Sequence, residues 1–384
     1  MNRDAGHGAD LYALRLIKMP HAFGTFARVN FINFCTQINS LVGAFGFADI
    51  AINAFIGNHQ GHAYIIPRMS FFLFKRLATL LLTLLGASVV VFMVLEILPG
   101  NAAQILMGPD AAPEAVLALA EKLGLNQPPL ARYWTWVSGL VVGDMGISYA
   151  YSTPVSELIA ERLMLTVPLA LLAMLLTTCI ALAVGVYAAA QHNKIGDVGL
   201  MGMAQVGIAI PNFWFAILLI LVFSVGLQWF SAGGFSGWSD EPLEAFKSLL
   251  LPAVSLAVVQ AAILSRITRS AVLDVLREDF VRTARAKGLS QRATLWQHVL
   301  RNAMIPVITV MGLQFSELLA GTIVVENVFY LPGLGRLIFQ SISNRDVIVV
   351  RNCVMLLATM VIVVNFAVDV LYAVIDPRVR VSDV

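Results

Sequence analysis

The amino-acid sequence predicts an all-α integral membrane protein with six transmembrane helices and both termini cytoplasmic. Three observations lead there. Of 384 residues, 59% are hydrophobic and only 12% charged, about half the charged fraction of soluble domains. Six stretches are long and apolar enough to cross a hydrocarbon layer about 30 Å thick, which a helix rising ~1.5 Å per residue spans in about 20 residues. Basic residues collect in one set of loops and acidic residues in another, the asymmetry that orients a chain across a membrane. The apolar runs lack the alternation of a strand barrel. The same apolar excess excludes a disordered chain, a secreted disulfide scaffold and a nucleic-acid module, and a formal net charge of +2 carries no polyanion-binding signal.

Residues 1–68 differ from the rest: they hold His7, His21, His59 and His62, four of the six histidines. Their apolar stretch from Leu41 to Ile56 is broken by Gly43, Gly46 and Asp49. It is read as an N-terminal extension, disordered or preceding the true start at Met69. The first span, Leu77 to Leu95, has no charge and follows the basic pair Lys75 and Arg76. With the external segment behind it, this span forms the region 69–161. Between Pro99 and Leu165 the bases Lys122, Arg132 and Arg162 face six acids, Asp110, Glu114, Glu121, Asp144, Glu157 and Glu161, so this part is external. It contains a short helix from Ala115 to Leu123. Its aromatic group Tyr133, Trp134 and Trp136 fits an interfacial helix on the outer leaflet or a docking surface.

A five-helix region, 162–373, follows. Its spans are Leu163 to Ala190, Met201 to Phe230 (one helix despite Pro211), Ser248 to Ser265, Ala303 to Val325 and Cys353 to Val374. Between the fourth and fifth span of the chain lie Arg266, Arg269, Arg277, Arg282, Arg285, Lys287, Arg292 and Arg301, against Asp274, Glu278 and Asp279. That loop, 271–302, is cytoplasmic, and Arg378 and Arg380 place the tail 374–384 on the same side. Cys35, Cys179 and Cys353 are too scattered for a disulfide framework or a metal site.

The cytoplasmic loop carries the most information. Val272 to Lys287 are good helix formers, Gly288 is a natural left-handed stop, and Gln291 to Leu300 restarts with Leu295, Val299 and Leu300 at helical spacing. Small residues at Ala284, Ala286 and Gly288 let a neighbouring backbone come close, while Arg282, Arg285 and Lys287 can pair with acids. Taken alone, these residues fit protein docking and contact with anionic lipid equally well.

A resemblance separates the two. Arg282, Thr283, Ala284, Arg285, Ala286, Lys287, Gly288, Leu289 and Ser290 resemble the EAA loop of membrane subunits in ATP-binding-cassette importers, in the version of the peptide/nickel group with its B-type dipeptide and oligopeptide permeases. The likeness covers nearly all of Met69 to Val384. It includes Leu98, Pro99 and Gly100; Pro211, Asn212, Phe213 and Trp214; Glu326 with Phe329, Pro332, Gly333, Leu334 and Gly335; Arg345 and Asp346; and Asp369, Tyr372, Asp376, Pro377 and Arg378. Arg282 and Thr283 stand where the general pattern has Glu and Ala. His298, Leu300 and Arg301 fall near its Ile, Leu and Pro, and these departures resemble the peptide-type subgroup.

The resemblance implies a type I importer permease fold in a bacterial inner membrane, with no catalytic residue, cofactor or metal. The implied partners, besides membrane lipid, are a homologous second permease, two ATPase subunits and an extracytoplasmic substrate-binding protein. ATPase coupling would rest on Glu278, Asp279, Arg282, Thr283, Ala284, Arg285, Ala286, Lys287, Gly288 and Leu289. Peptides are the leading solute, with nickel chelates, glutathione-like compounds and sugars open.

Glu317 lies mid-helix in the fifth span, where a carboxylate is costly. It is read either as a path residue or as a packing partner of Gln314 or of a neighbouring helix. Gln260, Asn365 and Asp369 lie nearer helix ends, and Asp369 is expected to serve structure at the cytoplasmic face. Pro332, Gly333, Leu334 and Gly335 form a sharp outer turn, which the resemblance places beside an external gate. Among rivals, an intramembrane serine enzyme built on Ser236, flanked by Gly234 and Gly237, lacks a base, because His192 and His298 fall on the cytoplasmic side. No His-Glu-x-x-His motif and no Gly-Lys pair of a phosphate loop occurs. An ion-coupled secondary transporter, or another channel subunit, would call for repeats or several buried ionisable groups, and only Glu317 qualifies.

Overall fold

The computed structural model describes residues 68–97, 103, 107, 108, 111–122, 124, 126–239 and 241–375. The readings of residues 1–67, of Leu98, Pro99 and Gly100, and of the tail 376–384 lie outside them. The described chain is helical, with one isolated β-bridge between Ile147 and Pro154.

Helix α1 (Arg68–Ile97) is followed by two short helices, α2 (Pro113–Lys122) and α3 (Pro129–Val142), and by the long α4 (Val155–Ala190). Proline at the first position starts α3, and Gly143 in the left-handed region ends it. Next come α5 (Ile195–Ala209) and α6 (Asn212–Leu219), which widens into a π turn over Ile220–Gly226, and then α7 (Pro242–Leu276). The cytoplasmic pieces are α8 (Asp279–Ala286) and α9 (Gln291–Thr294), with a second π turn, Leu295–Val299, running into α10 (Leu300–Val328). Helices α11 (Leu334–Ser343) and α12 (Val347–Ile375) complete the chain.

Apolar side chains gain nothing by leaving lipid for one another, so helices in a membrane pack through small residues and hydrogen bonds. Helix α4 shows this. Its buried stripe Ala170, Ala173, Thr177, Ala181, Gly185 and Ala188 recurs every three or four residues and meets a stripe on α7 that includes Ala253, Ala257 and Ala261. Thr177 donates to the Ala257 carbonyl and Gly185 lies against Thr268, so α4 and α7 run parallel. By the same reasoning α7 and α10 are antiparallel, because Leu256 faces Gly321 and Gln260 meets Glu317. Ser316 bonds Asn365 and Gly312 lies against Val368, while Arg76 pairs with Asp369 at 3.1 Å and Val91 and Phe92 cluster with Met355, so α12 runs antiparallel to both α10 and α1.

Parallel neighbours need a return crossing, and the sequence assigned it to one helix from Met201 to Phe230. The structure corrects this: α5 and α6 meet at 101°. Pro211 has no N–H to donate, and its ring pushes Ile210 into an extended conformation, φ −84° and ψ 122°. The bent pair still makes one crossing. It begins where Asp197 meets Arg269 near the end of α7, and it ends where Trp238 donates to the Met164 carbonyl and Gly234 to that of Phe329. Five single helices and this pair give six crossings. The bases Lys75, Arg76, Arg269, Arg282, Arg285, Lys287 and Arg301 gather at one end, the cytoplasmic one by charge.

Two further expectations change. Val272 to Lys287 do not form one helix; α7 stops at Leu276 and the chain turns at Glu278, φ −66° and ψ 147°. The turn lets Val281 insert into the apolar cluster of Val272, Leu264, Val299 and Val307 under the bundle. The aromatic group of the external segment is not spread on the leaflet. Trp136 is buried against Phe92 and donates to Asn352 Oδ1 at 2.8 Å, and Tyr133 shares a hydrogen bond with Ser88, while Trp134 stays exposed.

Candidate functional site

The loop from Glu278 to Leu289 stands below the bundle as a short amphipathic helix. Val281 is 1% exposed and joins the apolar cluster under the bundle, and Ala284 is 8% exposed, whereas Phe280, Arg282, Thr283, Arg285, Ala286 and Lys287 are exposed. Ala284, expected to admit a partner's backbone, instead anchors the helix to its own chain. Glu278 and Asp279 begin the helix, Thr283 Oγ1 donates to the Asp279 carbonyl at 2.9 Å, and Arg282 reaches Asp279 at 3.3 Å across open solvent, a pair worth little in stability. Gly288 has φ +89° with open space around its Cα. The left-handed turn there, and not crowding, explains the glycine. Leu289 is half-buried behind it. Ser290 then caps α9, its hydroxyl accepting from the Ala293 amide at 3.2 Å.

Above this loop Asp197 is 2% exposed and receives both Nε and Nη2 of Arg269, at 2.6 and 2.7 Å. It also takes the Asn193 amide, and His192 lies 3.6 Å away. The cluster ties the turn between α4 and α5 to α7, about two turns before α7 ends at Leu276. Asp197 was not marked in the sequence and Arg269 only as one of the cytoplasmic bases, because two charges 72 positions apart give no spacing signal.

At the external end the turn Pro332, Gly333, Leu334 and Gly335 starts α11. Its first amides, which have no partner within the helix, are capped from a distance by Glu326, whose side chain is fully buried. Glu326 Oε2 accepts the Gly335 amide at 2.7 Å and that of Arg336 at 3.4 Å; Oε1 accepts the Thr166 hydroxyl at 2.7 Å, and Thr166 in turn accepts the Leu334 amide at 2.9 Å. A carboxylate at a helix N-terminus meets both the free N–H groups and the positive end of the dipole. A Cβ at Gly333 or Gly335 would overlap the Glu326 carboxylate or Ile323, which is why both are glycine. Asp346 does the same for α12, accepting from Ser148 Oγ at 2.6 Å, the Ala150 amide at 3.0 Å and the Val349 amide at 3.2 Å. Beside it burial pushes the Tyr149 hydroxyl above its usual pKa. Glu326 and Asp346 were visible as motif members, but their roles depend on Thr166 and Ser148, which nothing in the sequence distinguishes from other hydroxyls.

Glu317 is on the exposed face of α10 and receives Gln260 Nε2 at 3.2 Å. Gln314 does not reach it and donates instead to the Gln260 carbonyl at 3.0 Å. Asp369 pairs with Arg76 at the cytoplasmic end, as expected.

A bent return crossing, six spans and a helical cytoplasmic loop are in place when the chain is compared with known proteins. The family profile described as a binding-protein-dependent transport system inner membrane component matches residues 181–381, and its N-terminal companion matches 69–170. The chain belongs to this family. It is therefore a multi-pass inner-membrane permease subunit of the ATP-binding-cassette importers. A protein of Brucella abortus strain 2308, named as a peptide transport system permease, is 41% identical over 312 residues, covering 81% of this chain and 99% of that one. The dipeptide transport system permease of Alkalihalophilus pseudofirmus is 37% identical over 80% of this chain and 98% of its own length. The glutathione transport system permease of Escherichia coli O6:H1 is 41% identical with the same coverage.

Proposed function

We propose that this permease subunit carries a peptide or a small peptide-like solute inward, forming half of the path with a homologous second permease. An extracytoplasmic binding protein delivers the solute, and two ATPase subunits power the cycle. The names of the relatives support the solute class: general peptide, dipeptide and glutathione all share an amide-linked backbone, which favours peptides over nickel chelates or sugars. The single observation that carries the mechanism is α8, an exposed basic helix pinned from above by Val281 and Ala284. Glu278, Asp279, Arg282, Thr283, Arg285, Ala286 and Lys287 present the surface an ATPase would grip. Ala284, Gly288 and Leu289 hold that surface in place.

When the ATPases close on nucleotide, α8 moves with them. Its apolar roots in α7 and α10 pass the displacement to the spans, which rock as packed units. The external turn Pro332, Gly333, Leu334 and Gly335 forms the outer gate margin, held to α4 through Thr166. The chain itself does no covalent chemistry. Ser236 lies in the loop near Met164 and Phe329, while His192 lies at the other end beside Arg269.

Mass spectrometry of the tagged protein purified in mild detergent, followed by reconstitution of the recovered complex, tests this. A second six-span permease and an ATPase should co-purify, and the vesicles should take up labelled dialanine or glutathione only with ATP and the binding protein. Recovery of the chain alone, with uptake driven by an ion gradient, would establish a secondary transporter instead.

A further inference from the structure

Helix α10 leaves a stripe of side chains uncovered: Leu313, Glu317, Ala320 and Val324 are all exposed and follow one another at intervals of four, three and four residues. At ~1.5 Å per residue, Glu317 stands about 26 Å from the Leu300 end of α10 and about 17 Å from the Val328 end. It is thus well inside the hydrocarbon thickness. A carboxylate there is excluded from lipid by its desolvation cost, so the stripe faces another protein surface or a water-filled path. This much rests on the permease reading given above.

The polar atoms around Glu317 are unbalanced. Gln260 is 7% exposed and gives its amide nitrogen to the carboxylate, which fixes its orientation, since the reversed amide would set oxygen against oxygen. Gln314, 3% exposed, gives its nitrogen to the Gln260 carbonyl. The side-chain oxygens of both glutamines are buried and have no partner. Among the described residues no lysine, arginine or histidine pairs with Glu317. Those two oxygens are shielded from any solute, so what the stripe offers it is the Glu317 carboxylate itself, exposed and held by a single amide N–H. The complementary ligand is donor-rich and positive, and a primary ammonium offers three N–H groups and one charge.

We propose that Glu317, oriented by Gln260, is a transient binding point for the ammonium group of the passing solute. The permease would thereby favour cargo with a free amino group, such as the unblocked N-terminus of a peptide, inside the membrane as well as at its binding protein.

The test needs no knowledge of the cargo. Cys35 and Cys179 are replaced by alanine, Ala320→Cys is introduced one turn from Glu317, and the assembled importer in membrane vesicles is treated with a cationic or an anionic methanethiosulfonate of similar size. Rates are normalised to those with a free thiol. The cationic reagent should win by about tenfold or more, the scale by which a lined cleft concentrates a counter-ion. Glu317→Gln should remove that preference and Glu317→Asp retain it; Leu313→Cys gives a second reporter should Ala320→Cys assemble poorly. Equal normalised rates for the two reagents would overturn the ammonium site and leave the path standing. No reaction with either reagent at both positions would remove the stripe from the path, and the inference with it.

Discussion

At the external end, three buried polar residues join segments far apart in the chain: Glu326 links α4 and α11, Asp346 links the loop after α3 to α12, and Asn352 holds both Trp136 and the Met145 carbonyl. At the cytoplasmic end the Asp197–Arg269 pair plays that part, tying α5 to α7. Below it, α8 hangs by Val281 and Ala284, with its charges in water. Hydrogen bonds are directional and fix geometry; apolar contacts hold position while tolerating small rotations. The external end is therefore closed by its own residues, whereas the cytoplasmic end leaves the outer face of α8 uncovered; on the proposed function an ATPase covers it. If so, stability and transport should separate along the axis of the molecule.

Trp136→Ala should show the largest loss of stability. It removes a ring 6% exposed that stacks on Phe92, lies 4.8 Å from the Arg351 guanidinium and donates to Asn352. Truncation of a buried tryptophan costs about 3–5 kcal/mol, read as a lower unfolding temperature in detergent. Trp134→Ala, two residues away but exposed, should change it by less than about 0.5 kcal/mol. Equal effects would mean that the external segment does not pack on α1 and α12.

Glu326→Gln comes next. A carboxamide has one oxygen where the carboxylate uses two, so either the Thr166 hydroxyl or the Gly335 amide loses its acceptor. A hydrogen bond to a charged group is worth about 1.5–3 kcal/mol, and the same unfolding assay should register a loss in that range. Thr166→Val should give a smaller loss of the same kind, and the double variant less than the sum, because the two share one bond.

This pair also shows what sequence reading reaches and where it stops. The six crossings were legible because lipid demands length and apolarity; their orientation rests on the sorting of lysine and arginine alone. The position and left-handed turn of Gly288 were legible because few residues tolerate a positive φ. The 101° bend at Pro211 was not, since proline in a membrane helix kinks it to any degree, and neighbours decide which. The caps at Glu326 and Asp346 were hidden for another reason. Each acid was on view, yet the hydroxyl that completes its set of donors comes from 160 positions away for Glu326 and 198 for Asp346, and only the fold brings them together. The inward turn of Ala284 escaped because a short amphipathic helix can bury its small side either in its own bundle or in a partner.

At the cytoplasmic end the effects on stability should shrink while those on transport grow. Gly288→Val places a β-branched residue at φ +89°. A left-handed conformation costs an L-residue roughly 1–2 kcal/mol, and more when it is branched. Because α8 is attached so lightly, the turn should re-form differently and leave the spans intact. The unfolding temperature should fall only slightly while the co-purified ATPase is lost; wild-type recovery of the ATPase would show that this turn does not aim the helix.

Arg285→Glu should have the smallest effect on stability and a complete effect on coupling. The side chain is exposed on the outer face of α8 and makes no hydrogen bond or ion pair among the described residues, so reversal should stay within about 0.5 kcal/mol. Against an acidic ATPase rim the same change turns an attraction into a repulsion, and like charges set face to face at an interface cost several kcal/mol. ATP-dependent uptake in reconstituted vesicles should fall at least tenfold while the protein inserts and melts as wild type. A compensating acid-to-base reversal on the ATPase should bring uptake back, because the defect is in the contact and not in either fold. Loss of thermal stability in parallel with uptake would mean that Arg285 supports its own chain and that the two ends of the molecule are built alike.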